Sequence, residues 1–263
     1  MNVIKTILIR IPFIYKIRVS QLRTKRRFNN VFVKFARHQS SADLPYSLKR
    51  HQSLLRRKLG TSDPQLQENK VTNLSIALKK INKIEINPGE TFSFWDLVGK
   101  PTMRKGYIEG MQLSQGEVKT GVGGGLCQLA NLLFWLAIHT PMKITERHHH
   151  SFDPFPDEQR VLPFGSGASV FFNYVDLRFH NPTSQKFQLN VWLTDTHLKG
   201  SILSDHEWPY SYHIEERNHQ FHCSKNKNYR ENEIWRKEVD KRTGLTRNAE
   251  LIVHNFSEVK YSI

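Results

Sequence analysis

Apolar positions along this chain recur first with a helical period and later with a period of two. Val3, Ile4, Ile7, Leu8 and Ile11 fall at helical spacing with Asn2, Lys5 and Arg10 between them, which predicts an amphipathic N-terminal helix. The stretch PYSLKRHQSLLRRKL, 45–59, spaces apolar and basic positions in the same way, and Gly60 stands where a C-cap would. A further helix is predicted in TSDPQLQENKVTNLSIALKKIN. Asp63 is its N-cap, Pro64 its first residue, and Leu74, Ala77, Leu78 and Ile81 its apolar stripe. Pro88-Gly89 reads as a turn into a short strand, ETFSF. Leu126 to Ile138 is apolar almost all round, as a buried helix would be, and Pro141 closes it.

Beyond that point the period shortens. SVFFNYVDLRFHNPT alternates as a strand, with Val170, Phe172 and Tyr174 on one face. Phe187–Leu193 and Leu198–Leu203 form a strand pair turning at Asp195-Thr196, and NEIWRKEVDKRTG and AELIVHNFSEVKY read as two more hairpins. Helices early and strands late predict an α+β fold: N-terminal helices and a buried helix after a Gly-rich loop, packed on a mainly antiparallel sheet. The expected divisions are a basic arm over 1–42, a helical segment over 43–84, a central domain over 85–205 and a β-rich extension over 206–263.

Charge changes the picture at one end only. The 263 residues carry a formal charge of +15, and no Asp or Glu precedes Asp43. Lys5, Arg10, Lys16, Arg18, Arg23, Lys25, Arg26, Arg27, Lys34 and Arg37 all lie in that stretch. A basic amphipathic helix with few aromatics suits an anionic membrane surface better than a nucleic-acid groove. Its blander reading is a solvated helix docked on its own domain. The apolar start is too short and charged to span a bilayer, and no small-residue cleavage site follows it. The expected location is therefore cytoplasmic, with peripheral attachment at the inner membrane face left open beside the solvated reading. Cys127 and Cys223 make no disulfide framework and are expected as free thiols, with a single bridge between them as the rival in an exported protein.

The candidate chemistry is concentrated in TGVGGGLCQ, 120–128. Consecutive glycines can turn backbone amides inward, and a helix starting at Leu126 adds a positive dipole end. A thiol placed there should titrate below the usual value of about 8.5. Cys127 is thus a candidate nucleophile, with amides near Gly123, Gly124 and Gly125 as an anion nest or oxyanion hole. Cys127, Gln128 and Asn131 share about 100° of helix arc and make a polar patch at the glycine end. The competing reading is packing: free cysteine is often buried, and glycines permit close approach.

The candidate base lies in the run His148, His149 and His150. In an extended segment His148 and His150 point one way and His149 the other. Asp153, Asp176 and Asn173 are the available orienters of such a base. Cys127 with two of the histidines could instead hold zinc, but the chain has no HExxH and no paired CxxC, so no metal and no cofactor is called for.

The ordered segments GETFSFWDLVGKPTMRKGYIEG, VGGGLCQLANLLFW, ERHHHS, VLPFGSGASV, VDLRFHNPT and FQLNVWLTDTHLKGSI resemble the VanW family over roughly 85–205. Further likeness lies in the tail (NYRENEIWR, DKRTG). The family is associated with glycopeptide resistance and the cell envelope, without an established biochemical activity. The resemblance implies a peptidoglycan-related ligand. Its glycine-cysteine-glutamine motif falls on Gly123, Gly124, Gly125, Cys127 and Gln128, and its Arg-x-x-His-Ser segment on Arg147, His150 and Ser151, which favours His150. Many members read Gly-x-Asp-Ala where this chain has Gly165, Ser166, Gly167 and Ala168, so Gly167 leaves that acid vacant. Two readings follow. One is an accessory module that binds a peptidoglycan-related ligand; the other is a cysteine-dependent acyl-transferase or hydrolase acting on a peptidoglycan precursor.

Overall fold

A computed structural model describes residues 12–56, 63–114, 117–149, 152–153, 161–224 and 226–261. The helix expected from Val3 to Ile11 and the cap at Gly60 lie outside them. The first described helix, α1 (Pro12–Asn30), docks through its inner face. Arg26 grips Glu146 with two hydrogen bonds of 2.5 and 2.6 Å, Arg23 donates to the Phe172 carbonyl, and the Tyr15 and Tyr174 hydroxyls meet at 3.1 Å.

Residues 46–54 are a strand, β1 (Tyr46–Leu54), where the spacing predicted a helix. With only Leu48 and Leu54 as aliphatic residues, the segment has too little apolar surface to define a buried helical stripe. Its backbone pairs instead with β10 (His197–Ser204), from Tyr46 opposite Ser204 to Leu54 opposite His197. Long-range pairing overrides the local pattern. β1 is the edge of an antiparallel sheet ordered β1-β10-β9-β2, where β2 is Ile84–Ile86 and β9 is Phe187–Leu193. Lys49 and Arg50 on that strand are the charges an edge needs to resist further pairing.

α2 (Pro64–Ile81) forms as expected. Asp63 caps it by accepting from the Gln65 amide, and Leu74, Ala77, Leu78 and Ile81 are buried. The predicted turn at Pro88-Gly89 leads into β3 (Thr91–Ser93), followed by a short helix α3 (Phe94–Val98). The hairpin of β4 (Glu109–Ser114) and β5 (Glu117–Val122) then delivers the glycine loop to α4 (Cys127–Ile138). Nine of the twelve residues of α4 are buried, so this helix is the centre of the core.

β6 (Lys143–Glu146) and β8 (Arg178–His180) complete a sheet ordered β3-β8-β6. Of the strand predicted in SVFFNYVDLRFHNPT only β8, Arg178–His180, forms; the residues before it make a tight loop closed by paired amides and carbonyls of Phe171 and Val175. Asp176 explains the change. Its carboxylate accepts from Ser93 Oγ, the amides of Trp95 and Leu177, and Arg178 Nε, so the chain is pinned here by side-chain bonds rather than a ladder.

The tail is one meander rather than separate hairpins. β11 (Tyr210–Ser224), β12 (Lys227–Asp240) and β13 (Thr246–Val259) pair antiparallel, and β7 (Phe152–Asp153) adds to β13 in parallel. The meander joins the core through buried Ile234 and through Arg236, which donates to the Thr140 and Met142 carbonyls just past α4. The whole is α+β and mainly antiparallel, with β1 and β2 sharing a sheet with β9 and β10.

Candidate functional site

The glycine loop crosses β4 backbone to backbone. A Cβ on Gly124 would lie 2.0 Å from both the carbonyl carbon and oxygen of Gly110, so neither residue has room for a side chain. Asn73, fully buried on α2, bolts this crossing. Its amide donates to the Gly124 carbonyl at 2.9 Å and the Ile108 carbonyl at 3.0 Å, and its oxygen accepts from the Ile108 amide. Gly125 has φ +94° and sits against Lys70, whose Cγ would be 2.1 Å from an added Cβ. Lys70 Nζ donates in turn to the Leu55 carbonyl and to Gln67 Oε1.

The loop amides are partly used within the chain. Gly123 N donates to Ile108 O at 3.0 Å and Gly124 N to Gly121 O at 2.9 Å, as in a tight turn. These two N–H groups point at protein acceptors instead of into a nest. The first turn of α4 is similarly engaged. Gln128 Nε2 reaches back to Ser53 Oγ (2.9 Å) and the Leu54 carbonyl (2.8 Å) on β1, and Asn131 Oδ1 accepts from the Ala168 amide at 2.7 Å.

Cys127 Sγ faces the Val170 carbonyl at 4.0 Å, a weak thiol–oxygen contact. Burial pushes its titration up from the ordinary thiol value, and the backbone hydrogen bonds that pull the other way do not reverse it. The depressed thiolate pKa expected from the helix terminus is thus corrected in direction, because desolvation of the buried sulfur outweighs the backbone hydrogen bonds that favour the thiolate. The residue retains partial exposure, but the thiol sits against the core.

Arg147 holds the other side of the same segment. Its guanidinium donates from Nε to Gly167 O at 2.8 Å, from Nη2 to Gly165 O, and from Nη1 to Asn255 Oδ1 at 2.9 Å on β13. It also covers the Phe134 ring, and burial lowers its pKa to about 10, so it remains cationic at neutral pH. The run 165–170 is therefore clamped between Arg147 and the polar residues of α4. A side chain at Gly167 would meet Asn131 Oδ1 at 2.6 Å. The space beside that position is filled by the Asn131 amide.

The histidines are only partly described. The His148 carbonyl accepts from the Ser169 amide at 2.8 Å, so this run passes one residue from the acceptor of the Cys127 thiol. The His148 ring meets Glu146 Oε1 at 3.0 Å. His150 and Ser151 lie outside the described residues. Asp153 is buried and turned to the C-terminal meander, held by Arg230 Nη1 at 3.2 Å and the Tyr261 hydroxyl at 3.1 Å. Asp176 is committed to Ser93, Trp95, Leu177 and Arg178. Among the described residues no group of three or more His, Cys, Asp or Glu could hold a metal.

The clamp residues Lys70 and Asn73 are absent from the sequence-based set. Their signal was present: together with Gln67 they interrupt the buried face of α2 at helical spacing with polar groups. The Asn232–Asn255 pair that supports Arg147 left no comparable trace, because its partners come from separate strands and a loop.

The family profile described as "VanW like protein" matches residues 69–203. A vancomycin B-type resistance protein VanW from Enterococcus faecalis is 31% identical over 258 residues, covering 97% of this chain and 93% of that protein. This chain belongs to the VanW family. An uncharacterized protein, YoaR, from Bacillus subtilis is 35% identical over 116 residues, which is 43% of this chain and 36% of that protein. No solved structure matches the chain significantly. The VanW-like profile spans the glycine loop, Lys70, Asn73, Cys127, Arg147 and the 165–170 run. It leaves out β1, which holds Gln128, and the meander that holds Arg147 and Asp153; the longer alignment with VanW extends over nearly the whole chain.

Proposed function

We propose that this VanW-family chain is an accessory protein of glycopeptide resistance and cell-envelope metabolism that binds a peptidoglycan-related ligand without using Cys127 as a nucleophile. Family membership and the relative named for vancomycin B-type resistance support the context. The observation that carries the non-catalytic reading is the state of the thiol. Cys127 is held at the Val170 carbonyl with its titration raised by burial, while Gln128, Asn131 and Arg147 are each spent on internal acceptors or donors. A nucleophilic cysteine needs the opposite shift. Peptidoglycan fragments carry carboxylates, which suit a chain that keeps a formal charge of +5 (15 − 10) beyond its ten N-terminal cations.

A second reading, a cysteine-dependent acyl-transferase or hydrolase acting on a peptidoglycan precursor, is favoured by one observation. The histidine run passes Ser169, next to the acceptor of the thiol. A calorimetric titration of a soluble muropeptide into wild type and Cys127→Ala separates the two, with mass spectrometry of the recovered peptide. Equal affinity in both proteins and an unaltered muropeptide are expected. Cleavage or transfer by wild type but not by Cys127→Ala would establish the second reading, and no binding by either protein would refute the first.

A further inference from the structure

Among the described residues, α1 presents an exposed outer face. At 100° per residue, Phe13, Ile17, Ser20, Thr24 and Phe28 fall within about 80° of arc. Phe13 is 71% and Phe28 68% exposed, and just beyond the helix Val31 and Phe32 are 77% and 78% exposed, with the Phe28 and Phe32 rings edge to face at 5.8 Å. Isolated exposed apolar residues are ordinary, but several large ones on one helix face, here at its two ends with the small Ser20 and Thr24 between them, mark a contact surface. Lys16 and Arg27 line one flank of this stripe, and Arg18 and Lys25 the other. None of these four forms an ion pair among the described residues, and the helix contains no acid at all.

The inner face is arranged differently. Arg23 and Arg26 turn inward to the Phe172 carbonyl and Glu146, and Tyr15 to Tyr174, so the helix is fixed to the body and its outer stripe is held in place. The cations that remain outside border an apolar centre. A nucleic-acid groove would place cations along the middle of the face, whereas an interfacial helix sinks its apolar stripe below the headgroups while flanking Lys and Arg reach the phosphates. No helix among the described residues is long and apolar enough to cross a membrane.

We propose that the outer face of α1 is the docking surface of this protein on an anionic lipid bilayer. Phe13, Ile17 and Phe28 enter the headgroup–acyl boundary, while Lys16, Arg18, Lys25 and Arg27 bind lipid phosphates. Each cation near an anionic surface strengthens binding about five-fold, so the four together give roughly a 10²- to 10³-fold preference over a neutral bilayer.

The test is co-sedimentation of the full chain with phosphatidylglycerol/phosphatidylcholine vesicles and with pure phosphatidylcholine vesicles. Lys16→Glu/Lys25→Glu/Arg27→Glu should weaken binding to the anionic vesicles by at least about 100-fold. Phe13→Ser/Phe28→Ser should also weaken it, with the thermal melt of both variants close to wild type because every altered side chain points outward. Lys80→Glu/Lys241→Glu/Arg242→Glu removes the same net charge from other exposed positions and should leave binding within about two-fold. Equal binding to neutral and anionic vesicles, no sedimentation of wild type, or an equal loss in the control triple would overturn the proposal. So would a stripe that drives self-association, seen as a concentration-dependent sedimentation coefficient without lipid that Phe13→Ser/Phe28→Ser abolishes.

Discussion

Replacing Gly124 by Ala tests what the glycine loop is for. The added methyl would lie 2.0 Å from the Gly110 carbonyl carbon and oxygen and 2.6 Å from its Cα. Relief to an ordinary contact requires the loop and β4 to part by more than 1 Å (an order-of-magnitude figure from about 3.5 Å carbon contacts). Both partners are backbone, so no side-chain rotation can absorb that shift. Parting would also break the Asn73 bridge between the Gly124 and Ile108 carbonyls, leaving a buried amide under-satisfied. Overpacking costs about 1–3 kcal/mol and the stranded amide about 1–3 more, so the variant should lose about 3–5 kcal/mol. For a chain of this size that is a fall in melting temperature of about 6–20 °C by circular dichroism. Gly89→Ala is the matched control: φ is +76° but nothing lies within 4 Å, so only the left-handed strain of about 1 kcal/mol applies. A Gly124→Ala melt no lower than that of Gly89→Ala would refute the packing argument and return the loop to the role of an open anion nest.

Two acid-sensitive groups should act in different pH windows. Burial alone would raise the Glu146 pKa, but hydrogen bonds from His148 and Arg26, with the Arg26 charge, hold it at about 2. Because the folded value lies below the unfolded 4.5, this stabilisation is present above pH 4.5 and is lost as pH falls toward 2. Arg26→Met should flatten that limb of a urea-stability profile, and an unchanged limb would contradict the assignment. His139 is pushed down to about 4 by burial against the pull of the Trp135 carbonyl. The unfolded chain therefore takes up its proton first, and stability should fall between pH 6.5 and 4 by up to about 3 kcal/mol. His139→Phe should remove that slope, and persistence of the slope would exclude this histidine as its source. Arg147→Lys cannot reach Gly165, Gly167 and Asn255 at once, and should cost about 2–4 kcal/mol in urea unfolding; a loss under about 0.5 kcal/mol would show that the clamp is not needed.

Elements with a complete local signature were legible in the sequence. α2 carries its own cap at Asp63-Pro64 and an apolar stripe from Leu74 to Ile81, and α4 is apolar on all sides, so neither depends on a distant partner to be recognised. The β9–β10 pair turns at Asp195-Thr196, as its alternation implied. β1 was not legible because its identity rests on β10, far along the chain. β11 gave no signal, since much of it is polar and faces solvent. The site divides in the same way. Its glycines, Cys127 and Arg147 were visible as residue types, but what they meet was not. Gly110, Lys70 and Asn73 come from other elements, and they turn a loop that looks like an anion nest into a packed crossing.

Cys127 is a packed thiol, and its rate of alkylation by iodoacetamide against pH is the sharpest check of that, with Cys223→Ser as the background protein. The structure predicts slow modification with a midpoint above the ordinary thiol value of about 8.5, unchanged in His150→Ala. A fast reaction titrating well below that value and shifting upward when His150 is removed would instead establish a Cys–His pair.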